Sequence, residues 1–328
     1  MSSVSMPSSH TLIDASPTPV AVFAYNRPQH VARALEALAR CARKNECCFH
    51  FFLDGAKTPE DAPAVASTLQ VLESFQPKFD ARLIIRAVNL GLAKSIVGGV
   101  SDLVASYGRI IVLEDDLLVQ PDFLHYMIES LNHYADTPSV MQVAALSLRP
   151  PAACETDVYL LPITSTWGWA TWARAWTHFS WTPVDLEAQQ EDSVWQNRFN
   201  ANGSFDGNSM LADRLSGKNN SWGILWWYAV SRQNGLVAYP RHSLVQNTGF
   251  DGSGTHCGTG NPYEQSLADS DRNLPGKLSF PADNRYEPGH MAVLENYFGS
   301  LAVPPARPKQ SKGLLGRLTQ FFLNVARR

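Results

Sequence analysis

The chain has 328 residues, 45% of them hydrophobic and 17% charged, which is enough to bury a large core and excludes disorder for most of its length. A formal net charge of -3, with both signs spread along the chain, leaves no footprint for duplex nucleic acid. The five cysteines are odd in number and show no C-x-x-C spacing, a pattern that fits a reducing compartment and no secreted disulfide framework.

Residues 1–18 are rich in Ser and Pro and are expected to form a disordered tail. They lack the basic start and apolar run of a signal peptide, and no later stretch is apolar enough to cross a bilayer, so a cytoplasmic location is expected. From Pro19 the text changes. Val20 to Ala24 is a short continuous apolar run of strand length, closed by Tyr25-Asn26-Arg27-Pro28. Val31, Ala34, Leu35, Leu38 and Ala39 then recur at helical spacing, and Cys48 to Leu53 forms a second apolar run that stops at Asp54-Gly55. The rhythm continues with a helix from about Pro59 to Phe75, a strand at Arg82 to Arg86, a helix from about Ala93 to Tyr107 and a strand at Ile110 to Leu113.

Alternation of this kind predicts an α/β fold built on a mostly parallel sheet with helices on both faces. Sheets of that type bind ligands beyond the carboxyl ends of their strands. The polar residues that follow the apolar runs, Asn26-Arg27, Asp54, Asn89 and Glu114-Asp115-Asp116, are therefore predicted to share one edge. Three clustered acids at a strand end offer hard oxygen donors to Mn²⁺ or Mg²⁺; as an isolated feature they would read as a solvated acidic turn.

Beyond about Met141 the rhythm is lost and the chain becomes rich in Trp and Gly, at Trp167-Gly168-Trp169-Ala170-Thr171-Trp172 and Trp222-Gly223-Ile224-Leu225-Trp226-Trp227. The first cluster reads as a loop. Tyr239 to Phe250 then leads into the Gly-rich Asp251-Gly252-Ser253-Gly254-Thr255-His256, suited to a lid because glycine leaves it disordered until something orders it. After a Pro-rich linker, residues 312–328 place Leu314, Leu315, Leu318, Phe321, Phe322 and Val325 on one helical face and basic residues elsewhere. This basic amphipathic helix is expected to rest on anionic membrane at the inner face, or else to pack on the domain.

In these motifs the sequence resembles the GT-A (Rossmann-like) glycosyltransferases, in patches from about Pro19 to Gly258, and in particular N-acetylglucosaminyltransferase I-like enzymes, whose metal motif is also Glu-Asp-Asp. Asn89-Leu90-Gly91-Leu92-Ala93-Lys94 resembles the Asn-X-Gly segment of family 2 glycosyltransferases. The resemblance implies that Tyr25, Asn26, Arg27, Asp54, Asn89, Lys94, Glu114 and Asp115 contact a nucleotide sugar, with Arg27 on the nucleotide, Asp54 on the base, Asp115 on the ribose and Glu114 on the donor sugar. It implies Asp116 as ligand of Mn²⁺ or Mg²⁺, with His256, or alternatively His242, as a further ligand. Residues 19–140 would form the nucleotide-sugar-binding half and 141–300 the acceptor-binding half of one catalytic domain. Trp167, Trp169 and Trp222 are expected to position a glycan or lipid-linked acceptor, since flat sugar C–H faces pack on indole, while core packing is the competing reading.

The chain departs from the family at Asn219-Asn220-Ser221-Trp222, where the resembled enzymes carry an acidic pair that supplies the general base. Asp213 and Asp251 remain as carboxylates for that role. The implied activity is transfer of a sugar from a nucleotide diphosphate sugar to an acceptor hydroxyl, as in surface polysaccharide biosynthesis. Two rivals stand beside it. A sugar nucleotidyltransferase would carry a Gly-rich basic loop after its first strand, which Tyr25-Asn26-Arg27-Pro28 is not; a non-catalytic sugar-binding module would account for the missing acidic pair.

Overall fold

A computed structural model describes residues 16–147, 154–252, 274–286 and 288–300. In chain order the elements are β1 (Thr18–Ala24), α1 (Pro28–Ala39), β2 (Cys47–Leu53), α2 (Ala62–Phe79), β3 (Arg82–Ile85), α3 (Leu92–Tyr107), β4 (Arg109–Glu114), β5 (Leu117–Val119), α4 (Phe123–His133), β6 (Val140–Ala144), β7 (Val158–Leu161) and β8 (Trp169–Trp172). There follow α5 (Ala173–Trp176), α6 (Leu186–Glu191), α7 (Ser193–Phe199), α8 (Gly207–Leu215), α9 (Trp222–Arg232), β9 (Leu236–Pro240), β10 (Val245–Asn247) and α10 (Pro288–Ser300). His256, the N-terminal fifteen residues and the expected C-terminal amphipathic helix lie outside the described residues.

Eight strands form one sheet in the order β3-β2-β1-β4-β8-β6-β9-β7. The first four run parallel, as the βα rhythm predicts. Their continuous apolar text is explained by burial on both faces: Val20, Ala21, Phe51, Ile110 and Ile111 are all fully buried. Pro28 starts α1, where a missing N–H and a preset φ are harmless, and the helix buries Val31, Leu35 and Leu38. What reads as one helix from Pro59 is a 3₁₀ turn at Pro59–Asp61 followed by α2, which runs on to Phe79 despite Pro77.

The Trp-rich half extends the same sheet. β8 runs antiparallel between β4 and β6, with Ala170 opposite both Ile111 and Val143. The segment expected as a loop is thus a central strand, and the small Ala170 sits where both neighbours approach. Trp169 is fully buried and packs on Trp176, Trp222 and Trp226, with ring centroids 5.3–6.4 Å apart. Trp172, also buried, donates its indole N–H to Leu131 O at 3.1 Å and lies under the Arg174 guanidinium. The aromatic text therefore forms a core.

Candidate functional site

Register decides where the polar residues emerge. Ala24 pairs with Leu53 and Phe23 with Glu114, so parallel β1, β2 and β4 end level with one another. Tyr25 to Arg27, Asp54 and Glu114 to Asp116 consequently leave the sheet at one edge, as strand-end placement predicts. Asp54, Asp115 and Asp116 are buried and Glu114 is half-buried.

Arg27 lies across the acids. Its Nη2 bonds Asp115 Oδ1 and lies 2.9 Å from Asp116 Oδ2. Burial acts against the guanidinium charge, but Asp115 and then Asp116 more than reverse this and hold its pKa above the ordinary range. One guanidinium does not offset three carboxyls. Burial, followed by repulsion from Asp116 and Asp115, pushes Glu114 up to about 8. Burial also pushes Asp115 up to about 6, even with Arg27 opposing it. The cluster thus has room for more positive charge than the chain supplies. Arg27 Nη1 is buried and has no acceptor among the described residues, leaving a donor ready for an incoming anion.

A second, two-stranded sheet closes over this edge. β10 pairs antiparallel with β5, with Asn247 opposite Leu117, which carries Thr248 and Gly249 onto Asp116. Thr248 donates both its N–H and its hydroxyl to Asp116 O, each at 2.9 Å, and the Gly249 N–H is held by Asn247 Oδ1 at 2.7 Å. A Cβ on Gly249 would stand 2.3 Å from Asp116 Oδ2 and 3.2 Å from Arg27 Nη1. Only glycine lets the backbone lie this close to the carboxylate. Two residues on, Asp251 pairs with His30 of α1 at 3.1 Å.

The other predicted residues divide between site and scaffold. Asp54 accepts backbone N–H bonds from Gly55, Leu90 and Gly91 at 2.8–3.1 Å, and Asn89 Nδ2 donates to Gly55 O at 2.7 Å. These bonds tie β2 to the start of α3, where Gly91 takes a φ of +75°. Tyr25 and Asn26 both donate to Asp61, at 2.8 and 3.2 Å, and the Lys57 N–H donates to the Tyr25 hydroxyl. Lys94 is exposed in the first turn of α3. Trp167 is half-buried with its ring against Phe250, whereas Trp222 is buried beside Trp169. Asp213, in the last turn of α8, pairs at 2.9 Å with Lys218 just beyond the helix, and His242 is exposed.

Sequence reasoning did not find Asp61, His30, Thr248 or Gly249. For Asp61 a signal existed: Thr58-Pro59-Glu60-Asp61 has the pattern of a capped helix start, and Thr58 does donate to Asp61 through both N–H and hydroxyl. Thr248 and Gly249 become neighbours of Asp116 only through β10, and His30 meets Asp251 just beyond that strand. Among the described residues no three His, Cys, Asp or Glu side chains are grouped so as to hold a metal ion on their own.

No family model matches the chain and no curated protein matches it. Solved structures do. It is similar to S. aureus TarS 1-349 at 13% identity over 47% of each chain, with a TM-score of 0.34. A mannosyltransferase from Pyrobaculum calidifontis in complex with GDP-Man and Mn²⁺ matches at 12% identity over 87% of this chain and 86% of that one, with a TM-score of 0.37. Apo mouse xyloside xylosyltransferase 1 matches at 15% identity over 65% and 80%, with a TM-score of 0.35. The chain spans about half of the TarS fragment and 25% of a longer TarS structure.

Proposed function

We propose that the chain is a metal-dependent glycosyltransferase that moves a sugar from a nucleotide diphosphate sugar to a hydroxyl of a glycan or lipid-linked acceptor, in the assembly of a surface polysaccharide. One observation carries this reading: at the end of a central parallel strand, two of three consecutive acids, Asp115 and Asp116, meet Arg27 under a backbone cover. That combination suits a polyanionic ligand that arrives together with a cation.

The residues fit Mn²⁺ or Mg²⁺. Such ions are commonly held by one or two carboxylates and completed by substrate phosphates, so the lack of a three-residue cage among the described residues suits them, and the acids carry surplus negative potential. Asp116 would be the ligand, and the ion would offset charge on the departing diphosphate. Arg27 then holds the diphosphate through the donor now lacking an acceptor. Asp115 is the carboxylate assigned to the ribose and Glu114 to the donor sugar. Asp54 and Asn89 act on the nucleotide side by holding the 89–91 loop in place, and Trp167, whose ring meets Phe250 beyond β10, is the aromatic we assign to the acceptor.

Asp251 is favoured over Asp213 as the general base, because it follows the segment that lies on Asp116 and His30 orients it. The rate gain comes mainly from positioning and from stabilising the leaving group. A second reading, a sugar-binding module without turnover, is favoured by Ser221: its hydroxyl caps α9 by accepting the Ile224 N–H at 3.3 Å, in place of the expected base.

Calorimetric titration with UDP and GDP sugars, with and without Mn²⁺, tests the proposal. Asp116→Asn should abolish the manganese dependence of donor binding, a loss of about 10²-fold or more in donor affinity when Mn²⁺ is present. Unchanged, manganese-dependent binding in that variant rejects the reading, and binding without donor hydrolysis or transfer supports the module.

A further inference from the structure

We infer that Arg27 is the resident counter-cation of the Asp115–Asp116 pair, and that it holds the metal site closed until a nucleoside diphosphate draws the guanidinium away. The inference rests on the metal-site reading above and concerns the order in which the site fills.

The geometry is that of two ligands for one position. Asp116 Oδ2, the oxygen nearest the Gly249 backbone, is the one that Arg27 Nη2 meets at 2.9 Å, while the same nitrogen bonds Asp115. A divalent ion held by Asp116 would have to share that oxygen with the guanidinium, and like charges in a partly dry site repel strongly. The two therefore exclude one another. The cover makes avoidance harder, since Gly249 packs closely on the same carboxylate oxygen and Thr248 pins the Asp116 backbone with two hydrogen bonds.

Release needs an acceptor for Arg27 elsewhere, and the side chain carries the signal for one. Nη1 is buried with no acceptor among the described residues, on the side facing Gly249. A buried donor left unmade is costly, and a diphosphate oxygen is the charge-assisted partner that a guanidinium fork suits. Nucleotide binding then moves Arg27 from carboxylate to phosphate and vacates Asp116 in the same step. By linkage each ligand tightens the other by an equal factor. In the absence of donor, Arg27 stays on the Asp115–Asp116 pair and occupies the oxygen a divalent ion would need, so free ions bind there weakly.

The test is titration of Mn²⁺ into the full chain, followed by loss of the free-ion electron paramagnetic resonance signal, with and without UDP or GDP. Wild type, Arg27→Gln, Arg27→Lys and Asp116→Asn are compared. Without nucleotide, Arg27→Gln should bind Mn²⁺ about tenfold or more tightly than wild type. Arg27→Lys, which keeps the charge but not the fork, should fall between them. Arg27→Gln should also lose affinity for UDP or GDP measured without metal. If neither Arg27 variant binds Mn²⁺ more tightly than wild type while Asp116→Asn still abolishes nucleotide-dependent Mn²⁺ binding, the inference is overturned and the metal site stands. If wild type takes up no Mn²⁺ even with nucleotide, or Asp116→Asn changes nothing, the metal reading fails and this inference with it. Should Arg27→Gln not fold, Arg27→Lys decides alone by the same comparison.

Discussion

Glu114 and Asp115 show most directly how single residues at this site set a measurable property of the whole chain. Both carboxyls are raised in the folded state, to about 8 from 4.5 and to about 6 from 3.8, because burial and neighbouring acids disfavour their charge. The folded chain therefore binds more protons than the unfolded chain across these windows, and stability falls as pH rises through them. For metal-free protein, these two groups contribute a fall in the denaturation midpoint between about pH 4 and pH 8, opposed below about pH 6.5 by His50 and His133, whose burial lowers their pKa. Glu114→Gln removes the contribution above about pH 6 and, because the two windows overlap, makes the fall below it shallower, leaving that of Asp115. A Glu114→Gln profile parallel to wild type contradicts the assignment; thermal scans in matched buffers without divalent ions measure it. The charged cluster was visible in the text as Glu114-Asp115-Asp116 and Arg27. Their union was not, because residues 27 and 115 meet only through the β1–β4 register.

Among the elements, α9 separates local from distant information. Its start is local: Ser221 caps it, and Asn219 Oδ1 accepts the Ser221 N–H at 3.0 Å. Ser221→Ala should lower stability by about 1 kcal/mol through loss of the cap, with donor turnover unchanged. A change in turnover beyond that in folded fraction would show that this position does more than start a helix; urea unfolding and a donor assay on the same variant separate the two. Burial of α9 is distant information. Trp222, Trp226 and Trp227 are all buried, and Trp169 meets the first two because β8 has been drawn between β4 and β6. The Trp167 to Trp172 stretch reads as loop because its periodicity is too short to call and its glycine breaks it. Pairing on both sides makes Trp169–Trp172 a strand.

At the level of the molecule, the two halves distinguished by their text share one sheet. β8, from the second half, is hydrogen-bonded to β4 of the first and to β6 beyond it, so neither half retains its core if the other opens. Unfolding in denaturant should therefore give a single transition, with coincident midpoints by far-ultraviolet circular dichroism and by the fluorescence of the tryptophans, which lie only in the second half. Separate midpoints would indicate that the halves unfold independently. Among the described residues no helix is long and apolar enough to cross a membrane.

The amino-acid order by itself determined the βα alternation, the parallel first half of the sheet and the strand-end position of the acids, since periodicity and punctuation are local properties. It did not determine that Asp54 binds the 89–91 loop, that Asp61 anchors Tyr25 and Asn26, or that Gly249 lies on Asp116. Those pairings join residues tens to more than a hundred positions apart, and a hydrogen bond between distant segments leaves no periodic trace in either one. Only the register of packed strands, decided by the burial of every side chain at once, brings such groups into contact with one another.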